Sequence, residues 1–295
     1  MIIARPAGMS VVSHRIDGAL GAWTHTEWRP HADHPLARVV ERIWDFDGWL
    51  ADRRERVLPN GAVELIVQLD DRYHDVKGSH RPLTPATCVT GLQTGPMVIE
   101  APSTSIRVLG VRLHPSGAWV VLDHPLSALT GLTADLDDVL GPAARELATR
   151  CYDADAAGER IAGAVAWLLE RVKTSRAGRR TDPAVRWIAS RLAASPEPAT
   201  ISALRGSAGL SAARLAAVFR EQVGVTPKRY ARIHRFRRTV ELLQRRPCSL
   251  SDVALRAGYY DHSHLDADFR AFAGVTPREF LNGRRYPSSA SLAEG

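Results

Sequence analysis

The densest chemistry in this chain is cationic. Lys228, Arg229, Arg232, Arg235, Arg237 and Arg238 crowd one short stretch, and Arg214, Arg220 and Arg270 stand on either side of it. Fixed positive charges repeated at helical spacing suit a polyanion such as a phosphate backbone. Asp261, His262, Ser263 and His264, with Ser211, add hydrogen-bonding groups suited to reading an edge rather than neutralising a charge. Groups for covalent chemistry are sparse. No GxSxG, Walker loop or GxGxxG occurs. His31-Ala32-Asp33-His34, even with His25, lacks the HExxH spacing, and His74, His80, His114 and His124 are scattered. Cys88, Cys151 and Cys248 give neither a CxxC pair nor a disulfide framework. The expectation is a chain that is not an enzyme, with no cofactor, no metal and reduced cysteines in the cytoplasm. The N-terminus does not read as a signal peptide, and no apolar run is long enough to span a membrane.

The cations sit on an element used twice. Residues 211–230 and 261–280 align fifty positions apart: Leu215 with Leu265, Phe219 with Phe269, Arg220 with Arg270, and Gly224 with Gly274. Val225-Thr226-Pro227 matches Val275-Thr276-Pro277, and Tyr230 matches Phe280. Two copies are too few for a solenoid, so the pattern predicts a duplicated helical module. Charge is segregated with it. Residues 201–286 hold 16 Lys and Arg against 7 Asp and Glu, whereas residues 1–200 hold 23 against 24.

Helix signals fill in the module. Asp182-Pro183 predicts a helix start, and Pro196-Glu197-Pro198 a stop. A short helix over 200–207 and a turn at 208–210 precede a helix from Ser211 to about Val223, stopped by Gly224. Thr226-Pro227 starts a long helix that Pro247 ends. The second copy repeats the plan from Ser249 to the final helix after Thr276-Pro277. Helices joined by a tight glycine turn are a helix-turn-helix, whose second helix fits the major groove of DNA.

On these residues the chain resembles the AraC/XylS-type transcriptional regulators over roughly 182–282. The motifs are Gly209-Leu210-Ser211 with Leu215 and Phe219, both Gly-Val-Thr-Pro turns, Asp252-Val253-Ala254, and Ala257-Gly258-Tyr259 with Asp261 and Ser263. The N-terminal half more loosely resembles a sensor-type domain through Leu58-Pro59-Asn60-Gly61 and Leu109-Gly110-Val111-Arg112-Leu113. The resemblance implies double-stranded DNA as partner. Phosphate contacts fall to the cations above, and base contacts to the outer faces of 211–221 and 261–271. A small-molecule effector, RNA polymerase and a second copy in a homodimer are further partners it leaves open; no membrane is involved. The chain departs from the family pattern where base readers belong. Ala213, Ala216, Ala217 and Ala267 carry no donor or acceptor, and Asp266 and Asp268 flank the last. A second reading follows: a ligand-binding or protein-interaction module that keeps the regulator fold but binds DNA weakly or without specificity. Arg205-Gly206, where the second copy has Ala254, predicts a first unit shifted in register or less stable.

The fold class is an α+β domain, a small sheet or barrel plus helices, followed by an all-α tandem helix-turn-helix domain. The expected divisions are 1–173, a linker over 174–181, 182–284, and a disordered tail over 285–295. In the first domain the apolar spacing at Leu36, Val39, Val40, Ile43 and Trp44 predicts a helix over 35–44. No periodicity marks residues 1–30. Strands are predicted over 62–69, 87–92, 97–100 and 105–113, and helices over 115–122, 135–151 and 156–173. Trp44, Trp49 and Trp119 are the candidates for lining a ligand pocket.

Overall fold

The computed structural model describes residues 11–18, 21–102, 105–194, 200–245 and 249–283. The stops expected at Pro196 and Pro247, Cys248, and the 285–295 tail lie outside them.

Short β-branched segments separated by Gly, Pro and polar turns give an antiparallel N-terminal architecture. The strands are β1 (Val11–Gly18), β2 (Gly21–Trp28), β3 (Val40–Leu50), β4 (Arg54–Val57), β5 (Val63–Gln68), β6 (His74–Asp75), β7 (Thr87–Thr90), β8 (Met97–Glu100), β9 (Ile106–Leu113) and β10 (Thr133–Asp135). The larger sheet runs β1-β2-β3-β9-β5-β7-β10 and the smaller β4-β8-β6. Period-two alternation sorts the larger sheet's side chains between two layers. Ile43, Leu65, Val67, Leu109 and Val111 join the main core, whereas Trp44, Phe46, Ile66 and Val108 gather in a second apolar cluster. Helices α1 (Pro115–Leu122), α2 (Leu136–Leu140), α3 (Pro142–Tyr152) and α4 (Ala157–Thr174) follow. Leu122, Leu136, Leu147, Ile161 and Leu168 bring them into the main core.

Three expectations are corrected. Residues 35–44 are not a helix. Tight turns, with Val40 N donating to Leu36 O at 2.8 Å, lead directly into β3. Four of the spaced positions, Leu36, Val39, Val40 and Ile43, are buried, whereas Trp44 is half-buried in the second cluster; Val39, Val40 and Ile43 are β-branched and favour the strand. The helix over 135–151 is broken at Gly141, whose φ of 55° and following Pro142 end one helix and start another. Residues 1–30, where no periodicity marks the sequence, contain β1 and β2, and Trp28 is buried in the main core.

The segment read as a linker is packed. Ala177–Arg180 form a single tight turn, Ala177 is buried, and Trp119 Nε1 donates to its carbonyl at 3.2 Å.

Helix α4 is fastened to the sheet by a buried ion pair. Arg160 donates through Nε and Nη2 to both oxygens of Asp45 on β3, at 2.7 and 3.0 Å, and through Nη1 to the carbonyls of Ala154 and Asp155. Both side chains are almost wholly buried. Removing one partner leaves the other charge stranded, which costs about 3–5 kcal/mol. Arg160→Met should therefore lower unfolding free energy by about that amount, and Asp45→Leu in the Arg160→Met background should recover most of it. Denaturant titration followed by fluorescence measures both; a loss below about 1 kcal/mol for the single variant contradicts the assignment.

Candidate nucleic-acid interface

The C-terminal helices are α5 (Pro183–Ala194), α6 (Ile201–Ser207), α7 (Ala212–Val223), α8 (Pro227–Arg245), α9 (Leu250–Ala257), α10 (His262–Ala273) and α11 (Pro277–Leu281). Their ends follow local chemistry. In each Gly-Val-Thr-Pro turn the glycine is left-handed, with φ of 98° at Gly224 and 71° at Gly274. The threonine hydroxyl then accepts from the backbone three residues on, Thr226 from Arg229 N and Thr276 from Glu279 N. Proline begins the next helix, where its missing N–H costs nothing. Each repeat is thus one device that stops a helix and starts another at a fixed angle.

Both copies form a helix-turn-helix, α6–α7 and α9–α10. Burial repeats residue for residue along α7 and α10. Leu215, Val218, Phe219, Gln222 and Val223 face inward in the first; Leu265, Asp268, Phe269, Phe272 and Ala273 do so in the second. The outward faces are exposed: Ser211, Ala213, Arg214, Ala217 and Arg220 on one, and Asp261, His262, Ser263, His264, Ala267 and Arg270 on the other. Ala216 and Asp266 are half-buried at their edges. Ser211 and Asp261 also cap their helices, accepting from Arg214 N at 3.2 Å and His264 N at 2.8 Å.

Two sequence expectations change here. Asp268 does not flank the outer face. It occupies the buried position that Val218 holds in the first copy. Register in the first unit is normal, since Leu204 is the inward anchor of α6, Arg205 is half-buried and Gly206 faces open space.

The arginines of α8 are divided between two neighbours. Arg232 and Arg235 hold the two oxygens of Asp268 at 2.6 and 3.1 Å. The guanidinium of Arg232 also lies 5.4 Å from the Phe272 ring centroid, and that of Arg235 lies 4.4 Å from the Tyr259 centroid. Burial pushes the Asp268 carboxyl up, but the two guanidiniums outweigh it and hold it below the usual carboxylate range. Its stabilisation is thus present above the unfolded-state pKa and is lost as pH falls through the folded one. On the other side, Arg229 donates to Thr94 O in the N-terminal domain, and Arg237 reaches Glu41 at 3.2 Å and Asn60 O at 3.4 Å. Lys228 is exposed and Arg238 half-buried. Arg256 and Arg278, absent from the sequence-based candidates, are exposed as well; their location at a helix end and in the last helix was the available signal.

The N-terminal domain docks on this unit without covering either outer face. Thr130 Oγ1 donates to Gly224 O at 2.8 Å, and Gly61, at φ 78°, lies against the buried His234 ring. Burial pushes His234 down to about 3, so it is neutral at physiological pH. Of the pocket candidates, Trp44 lines a cavity between the sheets. Trp119 is core, and Trp49 is half exposed.

A helix-turn-helix domain family model matches residues 206–283, and a model described as a domain of unknown function (DUF6597) matches 27–135. The HTH-type transcriptional activator RhaS of Escherichia coli O139:H28 (strain E24377A / ETEC) is 35% identical over 65 residues, 22% of this chain and 23% of that protein. The chain thus spans under a quarter of that relative's length. Among solved structures, a probable AraC family transcriptional regulator from Rhodopseudomonas palustris CGA009 is 27% identical with a TM-score of 0.32, covering 35% of this chain and 99% of that one. ToxT from Vibrio cholerae is 10% identical with a TM-score of 0.46, covering 81% and 97%. Neither structure is close enough to bear on the geometry described above.

Asp268→Asn should weaken the hold on Arg232 and Arg235. We expect a lower melting temperature, because the two guanidiniums lose the charge that engages them. An unchanged melting temperature would show that the carboxylate is not what anchors α10 to α8. The paired helix-turn-helix units and the matched residues 206–283 show that the C-terminal part of the chain is a helix-turn-helix domain.

Proposed function

We propose that the chain is a DNA-binding transcriptional regulator that places α7 and α10 in major-groove segments of one duplex. The observation that carries this reading is the repeated burial pattern, which leaves the outer faces of both helices exposed while the N-terminal domain is docked. Lys228, Arg214, Arg220 and Arg270 supply phosphate contacts, joined by Arg256 and Arg278. Arg229, Arg232, Arg235 and Arg237 act chiefly by positioning the units, since each has a partner inside the chain. Arg214, His262, Ser263 and His264 carry base discrimination, at about 1–3 kcal/mol for each well-placed pair of hydrogen bonds.

The N-terminal domain modulates binding in this reading. Its contacts to Gly224, Arg229 and Arg237 reach the first unit and the helix between the two units. The second reading is a ligand-binding or protein-interaction module that keeps the regulator fold but binds DNA weakly or without specificity, favoured by exposed Ala213, Ala217 and Ala267.

Titration of the full chain against duplex DNA over a range of salt tests the proposal. Log K should fall linearly with log salt, and Arg214→Ala should reduce the preference for a selected site over random DNA by about tenfold. Absence of binding at low ionic strength rejects the DNA-binding reading. Equal affinity of the wild type for all duplexes favours the second reading.

A further inference from the structure

His234 of α8 faces the N-terminal domain, and the turn before β5 closes over it. The ring keeps only 8% of its surface exposed, enough for a proton to reach it. Gly61 lies so near that a Cβ there would fall 2.5 Å from Nε2 and 2.8 Å from Cε1. The Tyr230 ring stands against the same imidazole, with centroids 4.4 Å apart. Nε2 is buried and has no hydrogen-bond partner among the described residues. It meets the backbone methylene of Gly61, which offers no acceptor. Only glycine suits that position, because its φ is 78° and the ring leaves no room for a side chain.

The titratable groups around the ring come from three elements: Glu41 of β3, His114 at the start of α1, and Tyr230, Arg237, Arg238 and Glu241 of α8. Arg237 holds both carboxylates, Glu41 at 3.2 Å and Glu241 at 3.1 Å, and donates to the Asn60 carbonyl at 3.4 Å. A neutral imidazole fits this setting. An imidazolium carries two N–H donors, and here one of them would point at carbon. A buried charge left without a partner is costly, and the cheapest relief is to move the turn aside.

We propose that the Asn60-Gly61 turn is an acid-released latch between the domains: protonation of His234 expels Gly61 from the ring and takes the Asn60 carbonyl off Arg237. The inference stands whether or not the chain binds DNA. Burial pushes His234 down to about 3 with the latch closed, Arg237 acting in the same sense and Glu41 against it. With the latch open the ring meets water and titrates near the ordinary value of about 6.5. The closed form therefore has its full advantage above about 6.5. It loses that advantage as pH falls from there toward 3, by up to about tenfold per pH unit for one proton. Burial lowers His114 as well, which adds in the same direction. Burial pushes Glu41 up, but Arg237, Arg112 and His114 outweigh it and hold the carboxyl below its usual range. Its contribution to closure is present above the ordinary carboxylate pKa and is lost only in stronger acid.

Two-dimensional NMR of the full chain without DNA, from pH 8 downward until the fold is lost, tests the proposal by following the Gly61 amide and the His234 ring together. Both should change in one concerted transition whose midpoint lies below 6.5. His234→Gln keeps a neutral side chain at every pH, so its Gly61 amide should hold the pH 8 position until unfolding. Gly61→Ala cannot seat the turn, and in it His234 should titrate near 6.5. Circular dichroism at pH 8 confirms that both variants fold. Four results each overturn the latch: His234 titrating near 6.5 in the wild type while Gly61 stays still, a Gly61 transition that survives in His234→Gln, a silent His234 in folded Gly61→Ala, or no change in either group before global unfolding.

Discussion

Arg232 and Arg235 of α8 converge on one buried carboxylate, Asp268, and the second helix-turn-helix unit depends on that meeting. The first unit needs no such pair, because Val218 fills the equivalent position with carbon. A buried carboxylate is costly unless both oxygens are engaged. Two guanidiniums meet that need, while aromatic rings at Phe272 and Tyr259 lie beneath their planes. The arrangement fixes the direction of α10 relative to α8 more narrowly than apolar packing alone, since planar donors accept few geometries. It also withdraws cations from the surface that a net charge count would assign to DNA.

Helix α8 is likewise the place where the domains meet. Tyr230, Ile233, Phe236, Val240 and Leu243 bury one stripe, while Arg229 and Arg237 reach out to the N-terminal domain. At Glu41 and Arg42 neighbouring residues of β3 serve two sides, one facing α8 and the other the cavity. A bulge separates their register, which is how a strand aims adjacent side chains in unrelated directions. The cavity strands lie a few residues along the chain from the contacts to Gly224, Arg229 and Arg237, in keeping with the proposed modulation.

Much of the C-terminal domain was legible in the sequence because its determinants are local. Gly224 and Gly274 need left-handed backbone, Thr226 and Thr276 cap, and Pro227 and Pro277 start helices; each property belongs to one residue type. The inward role of Asp268 was legible in principle as an acid standing in the repeat position of Val218. The N-terminal domain was less so. Leu36, Val39, Val40 and Ile43 fit a helix face and equally a turn followed by a strand, and only the pairing of Ile43 with Trp28 decides between them. Of the cavity only Trp44 was legible, because Trp23, Trp44, Ile66 and Val108 come from four strands brought together by register alone.

In the proposed function two equivalent helix faces engage one duplex while the N-terminal domain remains docked. Hydroxyl-radical footprinting of the full chain on a duplex selected for binding tests this most directly. Two protected stretches about one helical turn, roughly 10 base pairs, apart are expected. Substituting Arg214 should erase one stretch, and substituting His264 the other. A single protected stretch lost with either substitution, or none at low salt, would contradict it.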